Sequence, residues 1–183
     1  MSGIKYKMDS FYSHTSVPVG TVVSGAAATM LKKIPSNISP ELLFVLASMG
    51  HGDELVLADA HFPTSACCRA GPREVRADGQ TIPQLLRSVL QLMPLDTYVG
   101  EPVMLMAPVP ADQDRGVETP IWDTYRTLLD EAEGPRVEID LLERFDFYKR
   151  AKQAFAIVHT GERAQYGNII LKKGVVREYD TES

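Results

Sequence analysis

Four short apolar runs constrain this chain more than any other feature: Leu55-Val56-Leu57-Ala58, Val103-Met104-Leu105-Met106-Ala107, Phe155-Ala156-Ile157-Val158, and Ile169-Ile170-Leu171 behind Asn168. Each is too short for a buried helix and lacks the alternation of a half-wet strand, which is the pattern of strands covered on both faces. The intervening segments carry apolar residues at helical spacing. Ser39-Pro40-Glu41 reads as an N-cap, a first helical proline and an acidic first turn, and Leu42, Leu43, Leu46 and Ala47 follow as a stripe that Gly50 ends. Thr81 opens a second helix, which buries Ile82, Leu85, Leu86, Val89, Leu90 and Met93 before Pro94. Thr119-Pro120 opens a third, running to Gly134 with Ile121, Tyr125, Leu128, Leu129 and Ala132 inward. Residues 136–140 read as a further strand and 143–153 as a last helix, while 60–71, with Pro63 and Gly71, read as a loop. The expectation is an α/β fold: a single domain of mixed, alternating helices and strands in a layered sheet.

That domain is expected over residues 34–183. Residues 1–33 are rich in Ser, Thr, Gly, Ala and Val and show no sustained period, so they read as a disordered or extension segment. A transit peptide is the sharper reading of the same acid-poor stretch, but it has no arginine. At 183 residues the chain has room for one domain and a tail.

A formal net charge of −5 with scattered basic residues argues against a nucleic-acid partner, which needs a concentrated basic face. No apolar run approaches the roughly 20 residues that span a bilayer, and the N-terminus lacks a secretory layout, so no membrane role is expected. Cys67 and Cys68 are adjacent, a spacing that rarely bridges, and read as free thiols of a reducing, cytoplasmic compartment. There is no glycine-rich dinucleotide fingerprint, no phosphate loop and no evident nucleophile with a partner base. His51, Asp53, Asp59 and His61 could in principle ligate a divalent metal, but nothing fixes their spacing as a metal motif would.

Four polar clusters stand where α/β folds keep their sites, on loops and element ends. Gly50-His51-Gly52-Asp53-Glu54 leaves an imidazole uncovered in a tight turn, near a helix C-terminus whose dipole would favour its protonated form. The same cluster leads through the apolar strand to Asp59-Ala60-His61, with Asp59 at the strand's carboxyl end; alone, Asp59 reads by default as a turn or capping aspartate. Asp96, in Pro94-Leu95-Asp96-Thr97-Tyr98, also reads as a turn residue by default. Arg144 and Tyr148 lie one helical turn apart on a common face. Tyr166 and Asn168 would project from one face at strand spacing, with Gly167 allowing close approach between them, unless Tyr-Gly-Asn forms a turn.

Taken in order, these strings resemble the fucose mutarotase branch of the family that also contains D-ribose pyranase. The strings are Ser39-Pro40-Glu41-Leu42-Leu43, Met49-Gly50-His51-Gly52-Asp53-Glu54, Asp59-Ala60-His61-Phe62-Pro63, residues 75–79 and 95–98, Glu143 to Tyr148, and Thr160 to Asn168. The resemblance runs from about Ile34 to Val176. It implies an isomerase interconverting the α and β anomers of L-fucose, with no metal and no cofactor, assembled as a homo-oligomer with sites near subunit boundaries. It places a proton-donating histidine on His51 and a relay on Asp96 and Tyr148. It places sugar contacts on Asp59, Met106, Arg144, Tyr148, Tyr166 and Asn168. A D-ribose pyranase, or a protein that binds a monosaccharide without turning it over, are the alternatives.

Overall fold

The computed structural model describes residues 31–135 and 137–176. Most of the expected N-terminal extension, through Met30, lies outside the described residues. The chain runs through α1 (Pro40–Ser48), β1 (Glu54–Ala58), α2 (Thr64–Cys67), β2 (Arg73–Ala77), α3 (Ile82–Leu90) and β3 (Val103–Met106). It continues through α4 (Pro110–Asp114), α5 (Ile121–Glu133), β4 (Ile139–Leu142), α6 (Arg144–Ala151), β5 (Ala156–Thr160) and β6 (Ile169–Lys172). This is the α/β single domain with a layered mixed sheet that the apolar runs call for.

Local chemistry starts the helices where the sequence signals them. Ser39 Oγ accepts from Leu42 N at 3.1 Å, with Pro40 at the first helical position. Gln84 reaches back to the Thr81 amide at 3.1 Å in a capping box. Glu143 accepts from Phe145 N at 2.7 Å and sets Arg144 as the first residue of α6.

The six strands form one sheet in the order β2-β5-β1-β6-β3-β4. β6 pairs antiparallel with both β1 and β3, while the β1–β5, β2–β5 and β3–β4 pairs are parallel. Alternation within each strand feeds two cores. Leu55, Leu57, Val103, Leu105, Val158 and Leu171 pack with α1, α3 and α5 on one face. Val56, Ala58, Met104, Met106, Ile157 and Ile170 pack with Phe62 and with Phe147 and Ala151 of α6 on the other.

The structure differs from the sequence reading in four places. The 60–71 loop contains α2 and a 3-10 turn, Cys68–Ala70. β2 is an edge strand whose outward positions are charged, so its alternation hid behind Arg73, Glu74 and Arg76. α4 is a single turn with no buried residue, and therefore no apolar stripe to read. The strand expected at 136–140 lies at Ile139–Leu142, because it pairs with β3 through Val103↔Ile139 and Met106↔Leu142.

Phe147 is fully buried and anchors α6, and with it Arg144 and Tyr148, to the sheet. Phe147→Ala is expected to cost about 3–5 kcal/mol and Phe147→Leu distinctly less. Urea unfolding midpoints check this, and a loss under about 1 kcal/mol for the alanine would mean that α6 is not held by this contact.

Candidate active site

The topology brings distant residues to one end of the sheet. β1 and β3 are parallel and β6 runs against them, so the residue after β1, the last residue of β3 and the residue before β6 meet: Asp59, Met106 and Asn168. The start of α6, just beyond the carboxyl end of β4, adds Arg144 and Tyr148. These five residues line a cleft of about 230 Å³ together with His61, Phe62, Val109, Asp112, Gln165 and Tyr166. That is below the roughly 300–1,000 Å³ of pockets for drug-sized ligands, and suits a ligand of monosaccharide size.

Asp59 and Asn168 form the floor. The Asp59 amide donates to Asn168 Oδ1 at 2.9 Å, and Asn168 Nδ2 donates back to Asp59 Oδ2 at 2.6 Å. Asp59 Oδ1 accepts from the His61 amide at 2.9 Å. Both side chains are buried. Burial pushes the Asp59 carboxyl above the usual range, against the opposing pull of the His61 N–H and the Asn168 amide.

Of the two readings of Tyr-Gly-Asn, strand or turn, the structure has the turn: Tyr166 sits in it at φ 56°. Its carbonyl accepts from Trp122 Nε1 at 2.9 Å, and the next carbonyl, of Gly167, accepts from Tyr125 Oη at 2.6 Å. A side chain on Gly167 would press on the Ala164 carbonyl at 3.0 Å and the Glu162 side chain at 3.3 Å. Arg144 is exposed on the first turn of α6, its guanidinium 5.6 Å from the Tyr148 ring centroid. A cation at a helix N-terminus opposes the dipole, and the carboxylates of Glu143 and Asp146 offset it. The Tyr148 ring packs edge-on against Phe62 at 5.4 Å.

His51 and Asp96 lie elsewhere. His51 Nε2 stands 3.2 Å from Asp96 Oδ1, and the Tyr98 ring meets the imidazole edge-on at 5.6 Å. His51 precedes β1 and Asp96 is tied to the end of β6 through Lys172, whereas Asp59 follows β1, so the length of the strand separates them, roughly 16 Å at about 3.3 Å per residue. Within one chain His51 therefore does not reach the cleft, and Asp96 is not beside Tyr148. His51 does follow the end of α1, whose cap is Met49, but its ring does not bond the helix carbonyls. The carbonyls of Leu46 in α1 and of its cap Met49 accept from Lys173 Nζ at 2.8 and 2.7 Å, and the imidazole turns to Asp96. Burial works to raise the Asp96 carboxyl, but the Tyr98 N–H and His51 outweigh it and hold the group below its ordinary value.

His51 and Asp53 are thus separated from Asp59 and His61, and no three metal-ligating side chains converge among the described residues. A larger hollow, of about 880 Å³, includes Glu54 and Arg150, but Glu54 already occupies the Arg150 fork at 2.7 Å. Asp112, Trp122 and Tyr125 went unread as site residues. Their bonds to residues 166–167 cross more than forty positions, and no local pattern signals such a partner.

Fold and cleft define a class: an α/β protein with one antiparallel strand in an otherwise parallel sheet, and a small polar cleft at the strands' carboxyl ends. Comparison with known proteins supplies the family. Residues 32–176 match the RbsD / FucU transport protein family, and the chain belongs to it. The chain is 62% identical over 146 residues to the mouse (Mus musculus) fucose mutarotase, covering 80% of this chain and 95% of that protein. Among solved structures, the fucose mutarotase of Streptococcus pneumoniae in complex with L-fucose is 49% identical with a TM-score of 0.72, covering 80% of this chain and all (100%) of that one. FucU of Bifidobacterium longum is 48% identical with a TM-score of 0.75, at the same coverage of 80% and 100%.

A depressed native pKa means that the Asp96 carboxylate adds stability above its unfolded-state pKa of about 4, a contribution lost as pH falls through the lower native value. Asp96→Asn keeps an acceptor for Tyr98 N but loses the charge. The stability gap between wild type and Asp96→Asn is therefore expected to open as pH rises from 3 to 6 and stay open above. Urea denaturation across that range checks it, and a gap independent of pH would contradict the assignment.

Proposed function

We propose that the chain interconverts the α and β anomers of L-fucose, and that each site is shared between two copies of the chain. The observation that carries the reading is the clamp of Asp59 and Asn168, with Arg144 and Tyr166 around it, in a chain this similar to proteins named fucose mutarotase. The clamp, the guanidinium and the tyrosine hydroxyl supply donors and acceptors for sugar hydroxyls. Met106 and Phe62 give an apolar wall that suits the methyl group of a 6-deoxy sugar.

Mutarotation needs one acid and one base. An acid protonates the ring oxygen while a base takes the anomeric hydroxyl proton, and the C1–O5 bond breaks to give the open-chain aldehyde. Rotation about C1–C2 and closure with the roles reversed yields the other anomer. His51, backed by Asp96, is the proton donor, and Tyr148 completes the relay across the sugar. Because His51 and Asp96 lie at the other end of β1, a second copy brings them to the cleft. Apolar groups stand exposed at both ends: Tyr98, 79% exposed, lies beside His51, and Phe145, 70% exposed, lies beside Arg144. A contact between copies would cover both.

A cytoplasmic setting belongs to the same proposal, supported by two unbridged thiols, Cys67 and Cys68. Among the described residues no helix is long and apolar enough to cross a membrane. The division into a segment 1–33 and a domain 34–183 is likewise proposed, supported by a family match that begins at residue 32.

Saturation-transfer NMR of anomer exchange tests the reading. Exchange of L-fucose is expected to be accelerated roughly tenfold or more over that of D-ribose, the scale on which apolar contacts discriminate. His51→Gln should lose roughly 10²-fold or more of the exchange rate with little change in calorimetric affinity, the share of one acid–base group. Arg144→Ala should instead weaken binding first. Equal acceleration of both sugars, or wild-type exchange by His51→Gln, would overturn the assignment.

A further inference from the structure

The lining of the cleft contains a carboxylate with no role so far, Asp112 of α4. Its environment is specific. Tyr166 Oη donates to Asp112 Oδ2, and Tyr166 Oη itself accepts from the Val109 amide at 3.2 Å. The other carboxylate oxygen, Oδ1, accepts from the Arg115 guanidinium. The Tyr166 hydroxyl and Arg115 hold the Asp112 carboxyl below its ordinary value, so it stays an acceptor at neutral pH. On the other side, burial and the bond to Asp112 raise the tyrosine, which keeps its proton.

A phenol has one proton to donate and two lone pairs to accept with. In Tyr166 the O–H donates to Asp112 and one lone pair is taken by Val109 N–H. What is left for a ligand is a single acceptor position. The ring has little freedom to change this, because the Tyr166 backbone is pinned through Trp122 and the neighbouring carbonyl through Tyr125.

We infer that Asp112 is a positioning residue for sugar recognition: by accepting the hydrogen bond of the Tyr166 hydroxyl it makes Tyr166 an obligatory acceptor, so the cleft selects a sugar hydroxyl that donates at that point. The inference rests on the sugar cleft proposed above. It also gives α4 a purpose, since that turn buries no residue and joins the cleft through Val109 and Asp112.

Fluorine separates donation from acceptance, because C–F can accept weakly but cannot donate. The probes are L-fucose and its 2-, 3- and 4-deoxy-fluoro analogues, with affinities measured by calorimetry on the full chain. For the wild type, one ring position is expected to lose about three- to tenfold in affinity on fluorination through the missing bond to Tyr166, the range of one net hydrogen bond. Asp112→Ala frees the tyrosine proton to donate, so the penalty at that position should shrink by at least about threefold while the others hold. Asp112→Asn, which can still accept through its carbonyl oxygen, should restore most of it. In a Tyr166→Phe background, Asp112→Ala should have no further effect on affinity, whereas a merely structural role would add its cost there too.

An unchanged fluorine profile in Asp112→Ala, or additive losses with Tyr166→Phe, would overturn the inference. Wild type that binds L-fucose while the Asp112 variants keep its fluorine profile would sink the positioning role alone. Wild type that fails to bind L-fucose would sink the cleft reading and this inference together.

Discussion

Asp59 and Asn168 are 109 residues apart in the chain and exchange two buried hydrogen bonds at the junction of β1 and β6. Asp59 is buried at the end of an apolar strand, where a carboxylate without partners would cost several kcal/mol. Asn168 satisfies one oxygen and the His61 amide the other, so the charge is tolerated only if β6 arrives antiparallel and in this register. The register in turn fixes where Gly167 and Tyr166 fall, and α5 grips both carbonyls through Trp122 and Tyr125. The same bonds that allow a buried carboxylate thus also shape the cleft.

The direction of β6 has a second consequence. As the lone antiparallel strand, between β1 and β3, it carries the chain from the cleft back to the end of the sheet where α1 stops and His51 turns. There Lys173 takes the carbonyls of Leu46 and Met49, its own carbonyl accepts from Gly52 N at 2.8 Å, and the Lys172 carbonyl accepts from Asp96 N at 3.0 Å. One strand therefore holds a small polar cleft at its start and a histidine–aspartate pair at its end. A rigid six-stranded sheet cannot fold those two ends together. The proposed reaction needs both, so in that proposal they come from different copies, each presenting two half-sites.

The layered fold was legible because its signals are local. Ser39-Pro40-Glu41, Thr81 with Gln84, and the apolar runs each state their element within a few residues. β2 and α4 were not, since an edge strand with charges outward and a turn with nothing buried carry no period. The candidate residues were individually visible as loop polar groups, and the family resemblance sorted them. Their partition between two ends was not visible, because spacing along a chain says nothing about which end of a strand a residue occupies until the topology is known. Asp59 illustrates this: alone it reads as a turn aspartate, and only the pairing of β1 with β6 reveals Asn168 as its partner. His51 shows the reverse, since the helix terminus beside it in sequence is occupied by Lys173 and its actual neighbour is Asp96.

Complementation between subunits tests the proposed shared site most directly. His51→Gln spoils one half-site and Arg144→Ala the other, so each variant expressed alone has only defective sites. Co-expressed in equal amounts and assembled at random, the two should pair an intact His51 with an intact Arg144 in about a quarter of the sites. L-fucose anomer exchange, followed by saturation-transfer NMR below saturating sugar, should then rise toward about a quarter of the wild-type rate. A mixture that stays at the level of the separate variants would contradict the account and require His51 and Arg144 to serve the same sugar within one chain, or not at all.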